Sequence, residues 1–367
     1  MIAWRQGVVV RVDDGWSGAL PLRVDVEGQE VAALAYPDLV GRIDVGAVVL
    51  LNVSALVRGL GTGGYALVVA RTDRLPSDPP AGPGHLVKAR YTPLQTMVLG
   101  VDEQESVHHE VLRDADDLAG MPVVVADLHS AVPAVVAGLR HAARRAGRPP
   151  LTVAYLLTDG GALPAWFSRT IGTLRDAGWL DACVSTGQAF GGDLEAVSVH
   201  SGLLAARWVA RADVAVVAQG PGNLGTGTRW GFSGVAAGEA VNAAAVLGGR
   251  PVASLRVSGA DARERHRGVS HHSLTAYGRV ALAPADVVVP VLDGTLGELV
   301  RAQAQPLGAP VGRHRLVEVG TDEGLLDALG ESPVRLSTMG RGLQEDPASF
   351  LSAAAAGLHA AALALAG

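Results

Sequence analysis

The sequence predicts an α/β protein: a doubly wound, mainly parallel Rossmann-like sheet preceded by a small antiparallel β-barrel or sandwich domain. Three observations carry this reading. Residues 1–75 alternate apolar and polar positions between closely spaced turns, a proline- and glycine-rich break occupies 76–84, and from His85 onward short β-rich runs alternate with helical stretches. Length agrees, because 367 residues exceed what one hydrophobic core usually organises.

In the first segment Val8, Val10 and Val12 alternate with Val9, Arg11 and Asp13, Val24 and Val26 repeat the pattern, and 48–53 and 66–70 are apolar runs. Asp13-Asp14-Gly15, Glu27-Gly28 and Gly59 to Gly64 supply turns, which favours an antiparallel barrel or sandwich. Pro76 to Gly84 holds four prolines and two glycines in nine residues, so it continues neither strand nor helix and reads as a linker. The remainder, 85–367, is expected to be one α/β domain. Its strands fall at 86–91, 122–126, 152–158, 182–185, 213–218, 252–257, 286–291, 316–319 and 334–336. Helices are expected at 131–146, 164–177, 194–210, 228–247, 270–281 and 322–329. Such alternation implies βαβ crossovers and a parallel sheet covered on both faces. The tail from Ala348 to Gly367 carries no formal charge and repeats Leu351, Leu358 and Leu365 after Asp346-Pro347, the pattern of a capped, packed helix with those leucines inward.

Composition excludes several function classes. At 49% hydrophobic and 18% charged residues the chain is neither disordered nor a coiled coil. A net charge of -6, with Lys88 the only lysine, offers no basic field, so nucleic acid is not an expected partner. The aromatic residues Trp4, Trp16, Tyr36 and Tyr65 sit among seven arginines and eight acids in residues 1–75, which favours core and turn roles over base stacking. The single cysteine, Cys183, fits a reducing compartment, and Met1 to Gln6 lacks a signal-peptide pattern; a cytoplasmic protein with no membrane partner is expected.

In a doubly wound sheet, ligands bind beyond the carboxyl ends of the strands. Two segments there stand out. Gln219-Gly220-Pro221-Gly222-Asn223-Leu224-Gly225-Thr226-Gly227-Thr228 contains G-x-G-x-x-G between a strand and an expected helix, where backbone N–H groups approach an anion. The acidic residue that dinucleotide binding wants about 20 positions later is missing, since Glu239 falls inside a helix, so no cofactor is assigned. The second segment, Asp261 to Ser273, lies in a stretch from Arg256 to Arg279 with five arginines against two acids. Guanidinium forks recognise phosphate or carboxylate bidentately, and Ser270 is placed to cap a helix beside them.

Ligand contacts are therefore expected from Gly220, Gly222, Asn223, Gly225, Thr226, Gly227 and Thr228, and from Arg263, Arg265, Arg267 and His271. Proton transfer is expected from His129 or His272, with Asp127 or Asp159 orienting the imidazole. No metal site is assigned, because no H-E-x-x-H occurs and the adjacent His271 and His272 are not expected to point the same way.

Gly59 to Tyr65, Arg90 to Gln95, Gln219 to Phe232 and Arg265 to Leu274 together resemble a bacterial family known as a domain of unknown function, DUF3866. The resemblance spans nearly the whole chain and implies a two-part protein of this length, without lending an activity or a catalytic residue. Two functions remain. One is an enzyme acting on a small phosphorylated or carboxylated molecule; the other is a non-catalytic sensor of a nucleotide-like ligand, or a partner-binding module. The expected partner is an anionic small molecule, and the C-terminal helix leaves homo-oligomerisation open.

Overall fold

The computed structural model describes residues 1–366. Strands β1 (Trp4–Val12), β2 (Leu20–Val26), β3 (Gln29–Ala35), β4 (Val48–Asn52) and β5 (Ala66–Arg71) close into a barrel in the order β1-β2-β3-β5-β4. Val9, Leu22, Val24, Val49, Leu51 and Val68 fill its interior. Pairing is antiparallel except between β3 and β5, which run parallel because β4 is threaded between them in sequence. Residues 76–84 carry no helix or strand.

The barrel docks through aromatic side chains. Trp16 Nε1 donates to the Trp166 carbonyl at 2.7 Å, the Tyr36 ring lies 6.0 Å from that of Trp166, and Tyr65 joins the same cluster with Phe167. Gly18 sits against the Trp166 ring where no Cβ would fit.

Beyond the barrel, β6 (Leu86–Lys88) and β7 (Thr96–Val98) form a small hairpin. The strand expected at 86–91 is thus shorter and lies outside the main sheet. Its extension is broken by positive φ at Ala89 and Tyr91, 48° and 62°. The main sheet is built from β8 (Pro122–Val125), β9 (Val153–Thr158), β10 (Ala182–Ser185), β11 (Leu194–Glu195), β12 (Val214–Gln219) and β13 (Arg250–Ser254), joined by β16 (Asp286–Val291) and β17 (Arg315–Gly320). All eight run parallel, in the order β11-β10-β9-β12-β8-β13-β16-β17. A two-stranded hairpin of β14 (Val257–Ser258) and β15 (Gly268–Val269) interrupts the chain between β13 and β16. The central strands are near-continuous runs of buried valine, alanine and leucine, as burial on both faces requires.

Helices α1 (Val132–Arg145), α2 (Arg169–Asp176), α7 (Glu323–Gly330) and α8 (Pro347–Ala366) cover one face. On the other lie α3 (Val199–Trp208), α4 (Ala236–Val246), α5 (His271–Thr275) and α6 (Gly294–Ala304). Side-chain caps set several starts: Ser168 accepts from Ile171 N, Asp322 from Leu325 N, and Ser198 forms a capping box with Ser201. The expected helix 228–247 begins only at Ala236, after a loop. The expected strand 334–336 does not form, and the stretch 194–210 divides into β11 and α3. Helix α6 has no counterpart among the expected elements. Two glycines in its first turn lower its propensity, yet Gly297 presses on the Leu292 backbone where a side chain would not fit.

Helix α8 packs along α1, with Gly138 against the backbone of Ala354 and Gly357 against that of Val135. That closeness buries Ser352 to Gly357, Ala360 and Ala361, while Leu351, Leu358 and Leu365 flank the contact half-buried rather than filling it. The helix is long and apolar enough to cross a membrane, and 56% of its most apolar window is buried inside the protein.

Candidate functional site

The chain leaves β8 over one face through α1, but leaves β12 and β13 over the other through α4 and α5. The connections diverge at the carboxyl end of β8, which makes this the topological switch point where a crevice is expected. Tyr277 closes its floor: its hydroxyl donates to Val125 O at 2.8 Å, with Ser254 O at 3.1 Å. Two residues past β8 stands Asp127, buried, its carbonyl accepting from Gln219 Nε2 at 2.8 Å. Two residues past β13 stands Arg256, its side chain 11% exposed. A small cleft reaches both, bordered also by Ser130, Asp261, Thr338 and Arg341.

His272 completes a triangle with these two. Its Nδ1 accepts from Arg256 Nη1 at 3.1 Å and lies 3.7 Å from Asp127 Oδ2, while Arg256 Nη1 is 3.8 Å from that oxygen. Phe232 stacks on the His272 ring at 3.9 Å with the planes 2° apart, fixing its orientation. Asp127 Oδ2 is buried without a hydrogen bond. A bare buried carboxylate oxygen costs stability.

Around His272 gather two more imidazoles. One ring nitrogen from each of His266, His271 and His272 lies within 4.8 Å of the others. His266 was not among the residues expected from sequence. The chain between β14 and β15 carries His266 back toward His271, and Gly268, at φ 70°, opens β15 just after it. His266 Nδ1 meets Ser270 Oγ at 2.8 Å, and that oxygen also accepts from His272 N at 3.2 Å as the cap of α5. The H-x4-H-H spacing was the available signal. The expectation that His271 and His272 diverge does not hold: their ring centroids are 4.4 Å apart. Both belong to the first turn of a short helix, where no preceding turn restricts the side-chain rotamers. Burial first, then neighbouring cations and imidazoles, lower His266 to about 3 and His271 to about 4, so both rings are neutral at neutral pH. His271 Nε2 is buried with no partner.

The other expected residues sort by position. His129 stands apart from this cluster with both nitrogens engaged, Nδ1 by the Tyr155 hydroxyl at 3.1 Å and Nε2 by Ser168 Oγ at 2.7 Å, and burial lowers it to about 4. It is a bonded strut rather than a free base. Asp159 is exposed and accepts from Gln188 N at 3.0 Å, on the β9–β10 side of the edge, away from His272. Neither joins the Asp127 triangle. Arg263 is clamped bidentately on Asp261, at 2.9 and 2.8 Å, whereas Arg265 and Arg267 are exposed.

The glycine-rich loop does not lead straight into a helix. It folds back on itself, with Thr226 N on Gly231 O and Ser233 N on Leu224 O, and α4 starts only at Ala236. Its N–H groups are therefore not those of a helix terminus. Gly220 is buried against Ala162, Asn223 accepts from Gln219 Nε2 and Ser233 Oγ, and Thr226 and Thr228 bond to each other; Gly222, Gly225 and Gly227 are exposed. At its tip Gly227 reaches Arg265, whose Nη2 would lie 3.7 Å from a Cβ there. The two segments singled out in the sequence thus meet at Gly227 and Arg265.

A family model described as protein of unknown function (DUF3866) matches residues 32–357, from the third barrel strand into α8. The chain belongs to the DUF3866 family. Residues 219–274, which hold the glycine-rich loop, Arg256 and the three histidines, lie wholly inside the DUF3866 match, as does Asp127. No curated protein matches the chain.

Proposed function

We propose that this protein is an enzyme acting on a small phosphorylated or carboxylated molecule at the carboxyl edge of the sheet. The single observation that carries the reading is the buried Asp127 Oδ2, unbonded and 3.7 Å from His272 Nδ1. Arg265 beside the Gly227 tip, and Arg256 at the cleft, supply the charge that attracts the anion. Imidazole nitrogens in the His266, His271 and His272 group supply proton acceptors, and Asp127 orients His272. Arg256 now donates to His272 Nδ1. An anion that draws this guanidinium away frees Nδ1 to carry a proton against Asp127, which leaves Nε2 with a lone pair. A pure sensor would need the arginines but would have no use for that arrangement.

Calorimetric titration with inorganic phosphate and with citrate tests the reading. Arg265→Ala is expected to weaken binding by about 1.5–3 kcal/mol, the scale of a hydrogen bond to a charged group. Arg5→Ala, on the barrel, is expected to change nothing. Equal losses in both variants, or none in either, contradict the assignment.

A further inference from the structure

We propose that His266, His271 and His272 bind a divalent metal ion of the zinc class, with Asp127 as the carboxylate behind His272. Three imidazoles plus an open position are the ligand set of a catalytic zinc site, and an all-nitrogen set selects against magnesium and calcium. Tetrahedral zinc with bonds of 2.0–2.1 Å holds its ligand nitrogens about 3.3 Å apart. One ring nitrogen of each histidine already lies within 4.8 Å of the others, so side-chain rotations that bring the ligand nitrogens together complete the set.

The polar contacts around the trio show which nitrogens would take the ion. Ser270 Oγ engages His266 Nδ1, which leaves Nε2 as the free donor of that ring. On His272 the Arg256 and Asp127 contacts fall on Nδ1; the Arg256 bond holds the ring proton on Nε2, so metal binding there shifts that proton to Nδ1 and moves Arg256 off it. A metal on His272 Nε2 places a proton on Nδ1, and that proton needs an acceptor. Asp127 Oδ2 is the buried, unbonded oxygen beside it, the outer partner that a metal-bound histidine usually has. The other orphan, His271 Nε2, becomes a ligand. Two of the buried unbonded polar atoms of the described residues are thus satisfied by one ion.

This inference rests on the proposed function and deepens it, because the hydroxide left when a metal-bound water ionises would replace a bare imidazole as the proton acceptor. Zinc content is nonetheless read without any substrate. The full-length chain is stripped with EDTA, dialysed and titrated with zinc against a chromophoric chelator. One zinc per chain is expected, with affinity falling about 100-fold or more in the H266A/H271A double variant. His200→Ala, at an exposed histidine of α3, is expected to leave it unchanged. Substoichiometric zinc, or equal affinity in the double variant, overturns the proposal. If circular dichroism shows that the double variant does not fold, zinc-edge X-ray absorption of the unmodified protein decides instead. Nitrogen neighbours at about 2.0–2.1 Å support the site, and an oxygen-only shell overturns it. Loss of zinc binding with phosphate binding intact removes the metal alone; loss of phosphate binding with zinc intact removes the substrate reading alone.

Discussion

The carboxyl edge of the sheet has two halves that look alike in sequence and differ in how their polar atoms are satisfied. On the β9–β10 side, His129 is bonded through both nitrogens, and the buried Lys88 ammonium donates to the carbonyls of Gly187, Ala189 and Ala196 at 2.9, 2.9 and 3.0 Å. Lys88 also stands 3.4 Å from Glu195. On the β8–β13 side, Asp127 Oδ2 and His271 Nε2 are buried and bare, and Arg256 is shared between a histidine and a carboxylate. Residue type alone does not separate the halves, since each offers histidine, carboxylate and a cation. The first half completes its hydrogen bonds, and the second, where we propose the site, leaves two buried polar atoms bare.

The largest effect on stability should come from the satisfied half. His129→Ala removes the bridge between Tyr155 and Ser168, the latter also the cap of α2. It should destabilise the fold by about 2–3 kcal/mol in urea unfolding while leaving zinc and phosphate binding intact. Loss of binding at unchanged stability would reverse the two roles. Asp127→Asn sharpens the contrast from the other side. Its carboxylate oxygen satisfies no donor, so stability should change by less than about 1 kcal/mol, whereas zinc affinity should fall about 10- to 100-fold.

The sequence exposed the architecture better than the site. Valine-rich strands between helical periods specify a parallel sheet and the alternation at Val24 and Val26 the small barrel, but in β1 the structure buries Val9 and exposes Val8 and Val10, the reverse of the face expected there. Asp127, His271, His272, Arg265 and Gly227 were each visible as residues following a strand. Their grouping was only partly visible, because it depends on which of eight strands are neighbours, and β8 lies between β12 and β13 although they are far apart in sequence. His129 and Asp159 were chosen by the same rule that found Asp127, and only tertiary hydrogen bonds tell them apart. His266 stayed hidden because the connection between β14 and β15 that returns it to the cluster follows no periodic pattern. Helix α6 was hidden by its glycines, and the late start of α4 by a loop whose folding back rests on non-local backbone bonds.

The most direct test of the working half is anomalous diffraction from a crystal of the full chain equilibrated with zinc and inorganic phosphate. The account predicts a zinc peak enclosed by His266, His271 and His272, with phosphate in contact with Arg256 or Arg265. Zinc or phosphate bound instead at His129 or Asp159, with the three-histidine group empty, would contradict it.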